Sequence, residues 1–88
     1  MERHERTSVT IKKAARQAGV DVYVVRHCIK VGVTEEELTE IDLAELRRVR
    51  RLMSLGVNLP GAEVILRMRR RIKDLEAEIA QLEGRLRR

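Results

Sequence analysis

Hydrophobic residues recur most regularly in the last third of the chain. They fall at Ile65, Met68, Ile72, Leu75, Ile79, Leu82 and Leu86, in steps of three and four without a slip. This is a heptad seam, with Ile65, Ile72, Ile79 and Leu86 at a and Met68, Leu75 and Leu82 at d. It predicts one helix over residues 59–88, opened by Asn58 as N-cap with Pro60 in the first turn. At 1.5 Å per residue such a helix runs to about 40 Å, well beyond any globule the preceding residues could build. Seven apolar side chains would then stand in water unless a partner covered them, and the expected partner is a second copy of the chain.

The charges beside the seam bear on orientation. In an antiparallel pair centred between Ile72 and Leu75, Arg71 meets Glu78 of the second copy and Arg69 meets Glu76. In a parallel pair Arg71 finds Glu76, but Glu78 faces Glu83. Rim charges of this kind contribute about 0.2 to 1 kcal/mol each, enough to bias orientation. β-Branched Ile at a with Leu at d is instead the parallel pattern. We weight the charges more and expect an antiparallel pair, with the cluster Arg69, Arg70 and Arg71 as rim charge.

Ahead of the seam the pattern breaks into shorter pieces. Ile11, Ala14, Ala15 and Ala18 share one helical face behind a capping Thr10, and Gly19 ends that helix. Asp21 caps a second helix expected to carry Val22, Val25 and Ile29 inward, with Gly32 as its stop. Thr34 and Glu37 have capping-box spacing and predict one isolated helical turn. Thr39 then opens a third helix whose core face is expected to hold Leu46, Val49, Leu52 and Met53, ended by Gly56. The first two helices and the Gly19 turn have the dimensions of a helix-turn-helix. The expected fold is therefore all-α: a tail over residues 1–8, expected to be disordered, a head over 9–58, and a pairing helix over 59–88.

Composition narrows the class. Among 88 residues Tyr23 is the only aromatic, so the core must be aliphatic and small, and pairing would add the burial it lacks. No apolar run reaches membrane-spanning length, and the charged start does not resemble a signal peptide, so a cytoplasmic location is expected. The single cysteine, Cys28, cannot form an internal disulfide and reads as a small buried hydrophobe. Residues 1–33 hold seven Lys and Arg against three Asp and Glu, and residues 59–88 eight against five. Residues 34–58 hold four against six. The basic front suits a polyanionic partner.

The run Thr10 to Val22, followed by Val25, Arg26 and then Val31, Gly32 and Val33, resembles the DNA-binding half of the MerR superfamily. The similarity resumes at Thr39, Glu40, Ile41, Asp42 and Leu43. It continues to Gly56, Val57, Asn58, Leu59, Pro60 and Gly61, a stretch most similar to the HspR heat-shock repressors and the CbpM chaperone modulators. The resemblance implies a helix-turn-helix head, no cofactor, and a homodimer that binds double-stranded DNA at chaperone-gene promoters. Where that family carries a β-hairpin wing, this chain has only residues 33–38, with Glu35, Glu36 and Glu37 adjacent. Resemblance to CbpM implies the alternative, an adaptor that binds DnaK or DnaJ rather than DNA.

As a DNA reader, the second helix would set Tyr23 and Arg26 on phosphates or guanine edges and Val24 against a thymine methyl. Lys12, Lys13, Arg16 and Lys30 would lie along the backbone. As a protein-binding surface, the same helix would offer Tyr23, Val24 and His27 within a basic ring. The sequence supplies no convergent metal ligands, since His27 and Cys28 have only the distant His4 to join them. It has no nucleophile with a base near it and no phosphate-binding glycine loop, so no enzyme activity is expected.

Overall fold

The computed structural model describes residues 9–87, and the expected tail over residues 1–8 lies outside them. Capping side chains set the helix starts. Thr10 Oγ1 accepts the Lys13 amide at 3.1 Å and begins α1, Ile11–Ala18. Asp21 Oδ1 accepts the Tyr23 amide at 2.9 Å and begins α2, Val22–Lys30. The carboxylate of Asp42 reaches back to the amide and hydroxyl of Thr39 at 3.0 and 3.2 Å, opening α3, Glu40–Ser54. Asn58 Oδ1 accepts the Gly61 amide at 2.8 Å and opens α4, Leu59–Leu86. The architecture is all-α, as the periodicity predicts, and among the described residues no helix is long and apolar enough to cross a membrane.

Between α1 and α2 the chain turns through Gly19 at φ 76°. Arg50 of α3 lies over this turn, and a Cβ at Gly19 would come within 2.9 Å of its Nε. The left-handed backbone is what requires glycine here, since the exposed Arg50 side chain can swing away from a Cβ. Ala14, Ala15 and Ala18 let α1 approach the other helices closely, and the rest of the core is aliphatic, centred on Val25, Leu43, Leu46 and Val49.

Three expectations are corrected. α2 buries Val24, Val25 and Cys28, while Val22 and Ile29, expected inside, are only half-buried. Six of its nine residues are apolar, so periodicity alone leaves its rotation open. The segment predicted as a helical turn at Thr34 and Glu37 is instead a bent loop. Leu38, almost fully buried, pairs as a single antiparallel bridge with Val9, whose amide donates to Leu38 O at 3.0 Å. Asp42 also accepts the Glu35 amide at 3.1 Å, holding the loop open where a helical turn would close it. Met53, expected in the core, sits at its edge because α3 runs past the packed layer in its last turn.

α4 plays two parts. Its first turns complete the head core through Leu59, Ala62 and Leu66. Beyond Leu66 all its apolar side chains are exposed. At 100° per residue the seam from Ile65 to Leu86 points about 150° away from the face that packs on the head. The head therefore cannot cover it. A radius of gyration of 15.7 Å reflects the projecting helix, since a compact chain of this length has about 12 Å.

Candidate nucleic-acid interface

The outer face of α2 is built by spacing. Tyr23, Arg26 and Lys30 are exposed at i, i+3 and i+7, with His27 half-exposed beside them. Together with Asp21 and Val22 they line an open groove of about 550 Å³. α1 packs against α2 and exposes Lys12, Lys13 and Arg16. Across both helices the only carboxylate is Asp21, which is committed to its cap.

Val24 does not belong to this face. It is 4 % exposed and packed in the core, so neither a thymine methyl nor a protein partner can reach it. It lies on the same arc of α2 as Val25 and Cys28, which turns it inward. Tyr23 is left as the exposed apolar group of the pair.

α4 is tied to the His27 flank of α2 and to the loop that follows it. Glu63 Oε1 stands 3.4 Å from His27 Nε2, within ion-pair range but misaligned for a hydrogen bond, and Arg67 pairs with the other carboxylate oxygen. Arg70 donates through Nη1 to Gly32 O at 3.2 Å and through Nη2 to Val33 O. Glu45 of α3 accepts from Arg48 at 3.0 Å and lies 3.8 Å from Arg69. In the single chain Arg69 and Arg70 are thus ties to the head rather than the rim charges expected of them, so of that cluster only Arg71 keeps the expected rim role. They lie on the flank of α4 that continues from Leu59, Ala62 and Leu66, so helical geometry turns them toward α2 and α3. No local pattern announces contacts between residues 37 and 38 positions apart; only the fold brings them together. A second cleft of about 360 Å³ lies against this tie, lined by Arg70, Glu45 and Asp42 among others.

The seam residues Ile65, Met68, Ile72, Leu75, Ile79, Leu82 and Leu86 are all exposed, from 38 % at Leu75 to 84 % at Leu86. They form a continuous apolar strip of the kind that marks an interaction surface.

No family model, no curated protein and no solved structure matches this chain. Its own chemistry therefore carries the reading. Among the described residues no three His, Cys, Asp or Glu side chains converge as a metal site.

Cys28 is buried beneath the α2 face. Burial first, then the Glu63 and Glu45 carboxylates, pushes its thiol from the ordinary 9.0 up to about 11. The folded chain thus keeps a proton that the unfolded chain loses above about pH 9. Stability is expected to fall as pH rises from about 9 to about 11, by up to about 2 kcal/mol. Urea titrations of the parent and of Cys28→Ala check this: the difference between their pH profiles should appear only above pH 9. At pH 8 the folded thiol should resist a disulfide reagent that the unfolded chain consumes.

Proposed function

We propose that this chain is a cytoplasmic, MerR-like DNA-binding regulator of the HspR type, acting as a homodimer paired through α4. The observation that supports it is the outer face of α2, where Tyr23, Arg26 and Lys30 stand together and the flanking α1 adds three further exposed cations. An exposed helix with cations on one face, set after a tight glycine turn, is suited to the major groove, with the cations on phosphates and base edges.

Pairing supplies the second half-site. In an antiparallel register Ile72 meets Leu75 of the second copy, Met68 meets Ile79, and Ile65 meets Leu82. The symmetry axis then falls between residues 73 and 74. The midpoints of the two α4 segments that pack on the heads, Leu59 to Leu66 and centred near Ala62, are about 35 Å apart along the helix axis. One turn of duplex DNA separates half-sites by about 34 to 36 Å. Because the seam points away from the head, both heads stay free to reach a duplex.

The test is the affinity for a 30-base-pair duplex measured by fluorescence anisotropy at two salt concentrations. Five or six phosphate contacts per dimer imply a loss of about 10³-fold between about 50 and 200 mM salt. Arg26→Ala with Lys30→Ala should remove retention at low salt, and a parent chain that retains no duplex at low salt refutes the reading.

A second reading has its own support. Glu35, Glu36 and Glu37 are all exposed on the loop where a MerR wing would meet the phosphate backbone, a repulsion rather than a contact. A CbpM-like adaptor would use Tyr23, Arg26 and Lys30 on an acidic surface of DnaJ or DnaK. Purified DnaK and DnaJ, titrated against the chain, separate the two readings: the adaptor binds one of them and loses it with Tyr23→Asp.

A further inference from the structure

The loop after α2 folds back on that helix. The amides of Val33 and Thr34 both donate to Cys28 O, at 2.9 and 3.3 Å, and Gly32 takes φ 84°. This leaves the carbonyls of Gly32 and Val33 turned outward, and the guanidinium of Arg70 takes both. The fork of an arginine suits two neighbouring acceptors, and a cation there also suits the negative end of the α2 dipole. Arg70 lies one turn past Leu66, the last buried residue of α4. Its own turn is bounded by Met68 and Ile72, two seam residues that stand in water in the single chain.

We infer that Arg70 is a positioning residue that links pairing through α4 to binding on the α2 face. Covering Met68 and Ile72 orders the turn that carries Arg70, and an ordered Arg70 holds the end of α2, where Lys30 and Arg26 lie. A duplex that needs α2 held in one position favours the paired chain, and by reciprocity pairing raises affinity for duplex beyond the gain from having two heads. This inference rests on the proposed role of α2.

The experiment uses the full chain in four forms: parent, Arg70→Met, Arg70→Lys and Lys73→Met. A fifth, Ile72→Glu with Leu75→Glu, separates the copies. Hydrogen exchange at Val33 and Thr34, sedimentation and duplex affinity are measured for each. Arg70→Met is expected to stay a dimer, exchange these amides about tenfold faster and bind duplex about tenfold more weakly, a coupling of ordinary size. Lys73→Met removes the same charge from an exposed position of α4 outside the seam and without touching α2, so it should leave exchange unchanged and weaken duplex far less. Arg70→Lys should recover part of the loss. The separated chain should exchange as fast as Arg70→Met, and adding Arg70→Met to it should change little. An Arg70→Met dimer that exchanges like the parent overturns the linkage, as does a separated chain with unchanged exchange or a parent that is monomeric throughout. A parent that binds no duplex refutes the role of α2, and the exchange measurements still decide whether seam and α2 are coupled.

Discussion

Replacing Ile72 and Leu75 together by glutamate is expected to turn the proposed pair into monomers across the micromolar range in analytical ultracentrifugation, with the head still folded. The two residues stand 54 % and 38 % exposed in the single chain and would meet each other at the centre of the proposed antiparallel register. Burying the remainder of each contributes about 1 kcal/mol, taking full burial of such side chains as about 1.5 to 3 kcal/mol. Four such side chains lie around the axis of a pair, so about 4 kcal/mol is lost before repulsion among four clustered carboxylates is added. A loss of that size raises Kd by about 10³-fold. The head should survive because neither residue touches it: the buried part of α4 ends at Leu66. Circular dichroism should report a loss of helix confined to the projecting segment, since an uncovered helix of this length is marginal in water. A variant that remains dimeric would place the interface elsewhere.

Leu46→Ala is expected to cost about 2 to 5 kcal/mol of unfolding free energy, read from the shift in urea midpoint at constant slope. Leu46 has no exposed surface and sits in mid-α3, the helix that packs against both α1 and α4. With no tryptophan or phenylalanine in the chain, the core has few large side chains that could shift to fill the space. A small domain has only about 5 to 15 kcal/mol to lose, so this single truncation should bring the head near its unfolding threshold. Ile41→Ala on the same helix is the control. Its side chain is 76 % exposed, and the expected change is within about 0.5 kcal/mol. Equal effects at the two sites would contradict the packing described for α3.

The elements most legible in the sequence are those whose signals are local. Thr10, Asp21, Thr39 and Asn58 each cap the helix they precede, and the side chain that closes each cap lies within a few residues. The seam from Ile65 to Leu86 is equally plain, because seven positions in strict heptad spacing leave no choice of face. Legibility fails where the local pattern is degenerate. α2 is apolar nearly all round, so its inward face had to be chosen by what packs on it, and that choice removed Val24 from the candidate site. Thr34 and Glu37 had the spacing of a capping box. Asp42 and the pairing of Leu38 with Val9 are stronger competitors for the same backbone.

By itself, then, the amino-acid order determined four capped helices, a glycine turn between the first two, a basic front and an apolar strip that one chain cannot bury. Only tertiary packing decided the rotation of α2, the entry of the first turns of α4 into the head core, and the diversion of Arg69 and Arg70 from the seam to Glu45 and the end of α2. The physical reason is range. Caps and heptads are interactions over three to seven residues and are written in the local sequence, whereas Arg70 meets Gly32 and Val33 across 38 and 37 positions, a proximity that exists only once the helices have packed.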